Sequence, residues 1–418
     1  MKIKKIKINY YKSINEPLII ENISDLNILV GPNNAGKTNI LDAVNLFFQK
    51  DLDQERFFDK RSDIEIIIQE KNKKHLLSLK SGKFFGLEES QKKDFFIRIS
   101  EKTEYNDIKD EFLFFKENYY NEYNRFTKVL KKNFKDVNMS EQLFFESMNQ
   151  ENNYQKTFKR MGGGFKRLFV ILFYIFNPQY KIIFINEPET HLHPSVVKRF
   201  LMILESENTG NQIFITTHHR SLIDARHFQK IWRVNRNENR STVVHRINKN
   251  KIDISRLIQE INDDNSGMLF AEKVLLLEGV SDRIFMREMI NRFYKKNKDI
   301  KIVYTGGKGC VDLYADVCEL FDIPYAVMLD RDAINSPSLQ RIKKFPHFSK
   351  RTSLQEKIEK LQEKEIFILE KDLERVYPRK YKYRETKPLT ALFVSKKITR
   401  EDLESREMKV IKDILEKI

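Results

Sequence analysis

The sequence predicts an α/β protein of two domains, each built on a mostly parallel sheet. Three observations carry this reading: short apolar runs that stop at a glycine or an acid, helical stretches between those runs, and a distinct set of charged motifs at the run ends in each half of the chain. The 418 residues allow two or three domains at roughly 100–200 residues each, and two are expected. Lys and Arg outnumber Asp and Glu by 76 to 60, giving +16, so the surface should attract a polyanion; a lysine-rich solvated surface would give the same composition. The two cysteines, Cys310 and Cys318, lack a second pair to complete a zinc site and are expected to be reduced core thiols. No apolar run approaches the roughly 20 residues that cross a bilayer, so no membrane association and a cytoplasmic location are expected.

In chain order, Ile3, Ile6 and Ile8 alternate with lysines as in a strand, and residues 26–30 form a short, mostly apolar run. Gly31, Pro32, Asn33, Asn34, Ala35, Gly36, Lys37 and Thr38 follow in the pattern G-x-x-x-x-G-K-[ST], ahead of a helical stretch at 40–48. That context suits a phosphate loop. Glycines let backbone N–H groups turn inward around a β-phosphate, the helix start adds positive potential, Lys37 reaches the β and γ oxygens, and Thr38 can hold Mg²⁺. Residues 51 to about 155 read as an insertion with possible strands at 63–69 and 94–99 and helical pattern after them. The α/β rhythm resumes with an apolar helix over 165–175 and buried strands at 182–185 and 212–216. Polar residues from about 235 to 266 place a boundary near residue 268, giving domains 1–267 and 268–418.

The strand at 182–185 delivers Asn186, Glu187 and Glu189. Glu187 would orient an attacking water. Gly162, Gly163 and Gly164 open the helix ahead of Lys166 and Arg167, which implies a second anion site. His218, at the end of the strand 212–216, is placed to sense a γ-phosphate. In this order the motifs resemble ABC-type ATPases of the structural-maintenance, RecF and OLD type, over residues 2–48 and 158–224. The resemblance implies ATP as cofactor and a homodimer, or a higher even-numbered assembly, in which the glycine run of one subunit meets nucleotide on another. It departs at Asn186, where an aspartate is usual, so hydrolysis is expected to be slow.

In the second half, the apolar run 274–277 ends in Glu278, Gly279, Val280, Ser281 and Asp282, and the strand 325–329 ends in Asp330, Arg331 and Asp332. Residues two apart on an extended chain share a side, so Asp330 and Asp332 are expected to face one cation and Arg331 to point away. Four carboxylates at adjacent strand ends repel one another unless Mg²⁺ or Mn²⁺ neutralises them, and such ions suit in-line phosphodiester attack. The pattern E-G-x-x-D then D-x-D resembles the Toprim domain, with its Rossmann-like sheet, over 273 to about 390. The turn Gly306, Gly307, Lys308, Gly309 after the strand 300–304 is similar to OLD Toprim domains. Glu374 and Lys387, beyond a strand at 366–369 that is followed by Glu370 and Asp372, resemble the family's late acid and catalytic lysine. A charged helix about Leu354, Ile358 and Leu361 and a helical tail about Met408, Ile411 and Leu415 complete the chain. Basic stretches at 341–344, 350–351 and 379–384, the last with Tyr377, Tyr381 and Tyr383, suit a groove that tracks a nucleic-acid backbone.

An ABC-type head followed by a Toprim domain resembles the overcoming-lysogenization-defect (OLD) family. The resemblance implies an ATP-regulated, metal-dependent endonuclease acting on DNA, with a role in antiviral defence and a possible partner protein or nucleic acid from a neighbouring gene. Two other readings stay open on the residues: a Toprim ribonuclease acting on an RNA such as tRNA, and a non-cleaving DNA clamp. Topoisomerase and primase chemistry are not expected, since no stretch reads as a nucleophilic-tyrosine gate or a zinc module.

Overall fold

The computed structural model describes all residues except 49–60, 81–82, 87–94, 101, 134–160, 208, 248–253, 263, 337–347, 350 and 382–384. The chain divides into two compact units, one of residues 1–223 and 230–244 and the other of residues 224–229 and 245–418.

The first unit holds two sheets. Strands β1 (Lys2–Asn9), β2 (Leu18–Glu21) and β3 (Leu26–Val30) lead into helix α1 (Lys37–Asn45), followed by β4 (Asp63–Glu70), β5 (Lys73–Lys80), β6 (Lys83–Phe85) and β7 (Phe96–Ile99). Helices α2 (Tyr105–Asn118), α3 (Tyr120–Asn133) and α4 (Gly163–Phe176) precede β8 (Ile182–Asn186), α5 (Pro194–Ser206), β9 (Gln212–Thr216), β10 (Ile231–Arg236) and β11 (Thr242–His245). Five of these strands pair in the order β2-β1-β4-β5-β6, each antiparallel to its neighbour. One face of this sheet is apolar, as Ile64, Ile66 and Ile68 on β4 and Ile6 and Ile8 on β1 are buried at alternate positions. The strand expected near residue 3 therefore pairs with the insertion, across some 60 residues, and not with the strand that feeds the phosphate loop. Strands β5 and β6 were not expected.

The other sheet runs β11-β10-β3-β9-β8-β7, parallel from β10 through β7. Its central strands are buried along their whole length, which is why they read as continuous apolar runs with no alternation. A single core joins α1 to the inner faces of both sheets. The phenylalanines of α2, α3 and α4 form a cluster of their own: Phe112 lies 5.1 Å from Phe169, Phe115 5.4 Å from Phe173 and Phe126 5.2 Å from Phe169, centre to centre.

The second unit contains α6 (Ile254–Glu260), β12 (Lys273–Leu277), α7 (Val280–Phe293), β13 (Ile300–Tyr304), α8 (Lys308–Leu320), β14 (Tyr325–Leu329), α9 (Leu354–Glu363) and β15 (Ile366–Ile368). It continues with α10 (Leu373–Val376), α11 (Lys387–Lys397), α12 (Arg400–Leu403) and α13 (Lys409–Lys417). Its four strands are all parallel, in the order β13-β12-β14-β15. Strands β12 and β14 are wholly buried, and each of their Leu and Val side chains contributes about 1.5–3 kcal/mol by leaving water. From β12 the chain crosses first to β13 on one side and then to β14 on the other. This order reverses between β12 and β14, and a crevice opens at the carboxyl ends of strands at such a point.

Candidate functional site

Both units present their charged motifs at carboxyl ends of parallel strands. In the first, β3 ends at the loop 31–38. Gly31 (φ 144°) and Gly36 (φ 104°) take left-handed backbone there, and a Cβ on Gly31 would stand 1.9 Å from the Val234 carbonyl oxygen. Lys37 is 5% exposed and donates to the carbonyls of Gly31 at 2.9 Å and Pro32 at 2.8 Å. Burial pushes its pKa down to about 8, against the opposing pull of Glu187 and Glu189. A cavity of about 490 Å³ is lined by residues 33–39, Thr38 among them, together with His218 and Arg236.

The neighbouring strand ends bring the other predicted residues to the same side. His218 Nε2 stands 3.0 Å from Glu187 Oε1, and burial, then the charge of Lys37, lowers the histidine's pKa. Glu187 itself holds φ 45°, an uncommon conformation for a side-chain-bearing residue, and Glu189 accepts hydrogen bonds from Thr217 Oγ1 and the His218 amide. Asn186 Oδ1 is buried with no hydrogen-bond partner among the described residues. Gly162 caps α4 and Gly163 begins it; a Cβ on either would meet nothing within 4 Å, whereas one on Gly164 would stand 2.7 Å from the His191 carbonyl. The glycine run thus leaves a helix N-terminus open on the surface. Arg167, in the first turns of α4, donates to the carbonyls of Ser100 and Asn186, the latter at 2.9 Å. A buried lysine that Glu187 and Glu189 both act on and an exposed Thr38 fit a nucleotide with its divalent ion. Arg236 escaped the sequence reading: it ends β10, some 200 residues beyond the loop it helps to hold through Nε on the Asn34 carbonyl, 2.9 Å away.

In the second unit, Glu278 follows β12 and Asp330 follows β14, on the two sides of the crevice. Asp282, one turn into α7, accepts from the Gly279 amide at 2.9 Å. Lys308, the first residue of α8, contacts Asp332 and lies 3.9 Å from Glu278 Oε1. Burial pushes Glu278 up to about 7; Lys308 opposes this, while Asp330, Asp332 and Asp282 add to it. Burial likewise raises Asp282, to about 6, with Asp330 and Glu374 contributing further. Asp330 is raised by burial and then by Asp332, Asp372 and Glu374. Lys387 Nζ is 3.2 Å from Glu374 Oε1, and both act on Asp282, so the late pair lies within reach of the same cluster.

Two expectations about this region need correction. Asp330 and Asp332 do not lie on extended chain: a 3₁₀ turn at Arg331–Asn335 begins directly after Asp330, leaving Asp332 exposed and turned to Lys308. Arg331 does point elsewhere, toward the Glu370 carbonyl at 3.4 Å. Tyr377 and Tyr381 are not open stacking platforms, because Tyr377 is buried 5.2 Å from Phe285 and Tyr381 donates to Asp402, which also pairs with Lys380. The stretch 341–344 and residues 350 and 382–384 lie outside the described residues.

Among the described residues no three acidic, His or Cys side chains converge as a ready-made metal chelate. Asp282 serves as a helix cap and Asp332 is held by Lys308. Glu278 Oε2, however, is buried with no hydrogen-bond partner among the described residues, which costs about 1–3 kcal/mol or more for a charged group. Hard oxygen donors with an orphaned buried carboxylate oxygen fit Mg²⁺ or Mn²⁺ in kind.

Comparison with known proteins agrees with this layout. Residues 269–332 match the family model of the TOPRIM domain of overcoming-lysogenization-defect-like proteins, and AAA ATPase domain models match residues 1–157 and 141–224. The OLD nuclease of Thermus scotoductus is 29% identical over 162 residues, which cover 36% of this chain and 30% of the relative. The Old nuclease of Escherichia phage P2 is 30% identical over 37% of this chain and 28% of its own length. Endonuclease GajA of Bacillus cereus is 25% identical over 38% of this chain and 27% of its own length. The chain thus spans about three-tenths of the length of the curated relatives it matches. The SMC head domain from Thermotoga maritima aligns at 16% identity and a TM-score of 0.41, covering 59% of this chain and all of that one. Both halves thus match, in the order that their motifs indicate, an AAA ATPase domain and the TOPRIM domain of overcoming-lysogenization-defect-like proteins.

Proposed function

We propose that the chain is an ATP-regulated, divalent-metal-dependent endonuclease that cleaves DNA. The observation that carries this reading is the crevice between β12 and β14, where Lys308 lies by Glu278 and Asp332 and one Glu278 oxygen is buried without a hydrogen-bond partner among the described residues. Glu278, Asp282 and Asp330 would hold Mg²⁺ or Mn²⁺, with Asp332 joining once Lys308 releases it; bound there, the ions would polarise the scissile phosphate and lower the pKa of an attacking water. Lys308 sits at a helix start beside these acids, so it can move its charge from Asp332 to a phosphate oxygen as substrate arrives. Lys387, paired with Glu374 and acting on Asp282, would steady a neighbouring phosphate. In the ATPase unit, Lys37 and Thr38 would bind the β and γ phosphates, Glu187 would orient water, and His218 would hold Glu187 until nucleotide arrives.

Hydrolysis is proposed to be slow because Asn186 puts an amide, and not a carboxylate, directly beside Glu187, and ATP then acts mainly as a clamp between two copies of the chain. A role in antiviral defence, with a trigger from a neighbouring gene, follows from the resemblance alone; an unchanged efficiency of phage plating on cells expressing the protein would count against it. The direct test is incubation of purified protein with plasmid, single-stranded DNA and tRNA, with Mg²⁺ or Mn²⁺ and with or without ATP. Plasmid cleavage lost in Asp330→Ala and Glu278→Ala, with nucleotide binding intact, is the expected result. Cleavage of tRNA alone would reassign the substrate, and cleavage undiminished in both variants would remove the metal site.

A further inference from the structure

The loop after β8 carries a second glutamate whose two oxygens have different surroundings. Glu189 Oε1 accepts from Thr217 Oγ1 at 2.7 Å and from the His218 amide at 3.0 Å. Glu189 Oε2 is buried and makes no hydrogen bond among the described residues. Three residues upstream, Asn186 Oδ1 is buried without a partner as well. Both glutamates of the loop act on Lys37, but Glu187 already has His218 Nε2 at 3.0 Å. The loop after β8 therefore holds one neutral oxygen and one carboxylate oxygen that are shielded from water and unmet by any donor among the described residues, and Glu189 is close enough to act on Lys37 of the phosphate loop. Mg²⁺ at a nucleotide is usually held through one or two protein carboxylates together with phosphate oxygens, and an amide at position 186 supplies no charge for that purpose.

The geometry points to Glu189 as the residue that supplies the negative charge missing at Asn186, its Oε2 facing the hydrated divalent ion of the bound nucleotide while Oε1 stays on Thr217 and His218. This rests on the reading of residues 31–38 as an ATP site. It adds a consequence for regulation, since one carboxylate then connects the ion to the segment that carries His218.

The test is binding of a non-hydrolysable ATP analogue, by calorimetry, in Mg²⁺ and in EDTA, for wild type, Glu189→Gln, Asn186→Asp and the double variant. Glutamine keeps an oxygen for Thr217 and His218, so a purely structural role for Glu189 leaves the Mg²⁺ effect unchanged. Mg²⁺ should strengthen wild-type binding, and Glu189→Gln should lose about tenfold of that gain with its affinity in EDTA unaltered. Asn186→Asp should restore the gain in the Glu189→Gln background yet add less than about threefold on its own, because the charge is already present. An unchanged Mg²⁺ effect in Glu189→Gln, or no restoration in the double variant, overturns the assignment. If Glu189→Gln does not fold, a gain of tenfold or more for Asn186→Asp alone also overturns it. No binding by wild type in either buffer would remove the nucleotide site itself and the assignment with it.

Discussion

Replacing Lys308 by methionine separates two effects that most active-site substitutions confuse. The lysine is the cation closest to Glu278 in the Toprim crevice, 3.9 Å from Oε1, and it also pairs with Asp332. At an effective dielectric constant of about 20, unit charges at that separation interact by about 4 kcal/mol. Both side chains are about a quarter exposed, and solvent screening reduces the net worth to about 1–2 kcal/mol. A metal ion entering the crevice must overcome this hold. Methionine preserves most of the volume and removes the competitor, so Mn²⁺ affinity should rise about 5–30-fold. Cleavage should move in the opposite direction, by about 10²–10³-fold at saturating metal, because no cation remains to meet charge developing on the phosphate. Mn²⁺ titration followed by calorimetry or paramagnetic resonance gives the first number, and plasmid nicking at saturating Mn²⁺ gives the second. Weaker Mn²⁺ binding in a variant that melts like wild type would refute the reasoning, since the lysine would then be organising the carboxylates instead of occupying their site.

Lys37→Ala removes a buried charge and the donor to two loop carbonyls, and should weaken ATP binding by about 100-fold, the size of losing one or two charge-assisted hydrogen bonds; equal affinities by calorimetry would contradict the site. With its pKa near 8, the free protein's Lys37 is roughly 90% charged at pH 7 and roughly 10% at pH 9. Charge is lost as pH rises through that value, so wild-type affinity should fall about tenfold between these pH values and Lys37→Ala should show no such step; a flat wild-type profile would count against a depressed pKa. With a non-hydrolysable ATP analogue, light scattering should report twice the monomer mass or a higher even multiple. Gly163→Asp, which meets open space, should abolish that assembly by placing an anion where phosphate is expected, and a monomer in all conditions would remove the dimer from the account.

What could be read from the sequence follows from how local each signal is. Strands 212–216 and 325–329 were legible to the residue because a short apolar run with abrupt polar ends describes a strand buried on both faces. The phosphate loop was legible for a similar reason, its function needing consecutive residues. The antiparallel sheet was not: β1 finds β4 some 60 residues away, and nothing in the lysine-rich stretch 73–80 marks it as the next strand. The same limit hid Arg236, which reaches the phosphate pocket only through the parallel pairing of β10 with β3. The error over Asp332 had a different origin. An extended chain was assumed to continue past a strand end, whereas the backbone turns at Asp330 and the next residues coil.

Arg167 ties the opening turns of α4 to the ends of two adjacent strands, through the carbonyls of Ser100 and Asn186. The guanidinium is planar and stiff, and it is only 5% exposed, so it behaves as a strut and not as a tether. A push on the surface turn at Gly162–Gly164 by another molecule's phosphates would therefore be felt at the peptide of Asn186, inside the subunit's own pocket, without passing through solvent or loop. In the proposed dimer, each copy would in this way register whether its neighbour's pocket is filled before committing its own contents, a form of mutual inspection wired through a single side chain.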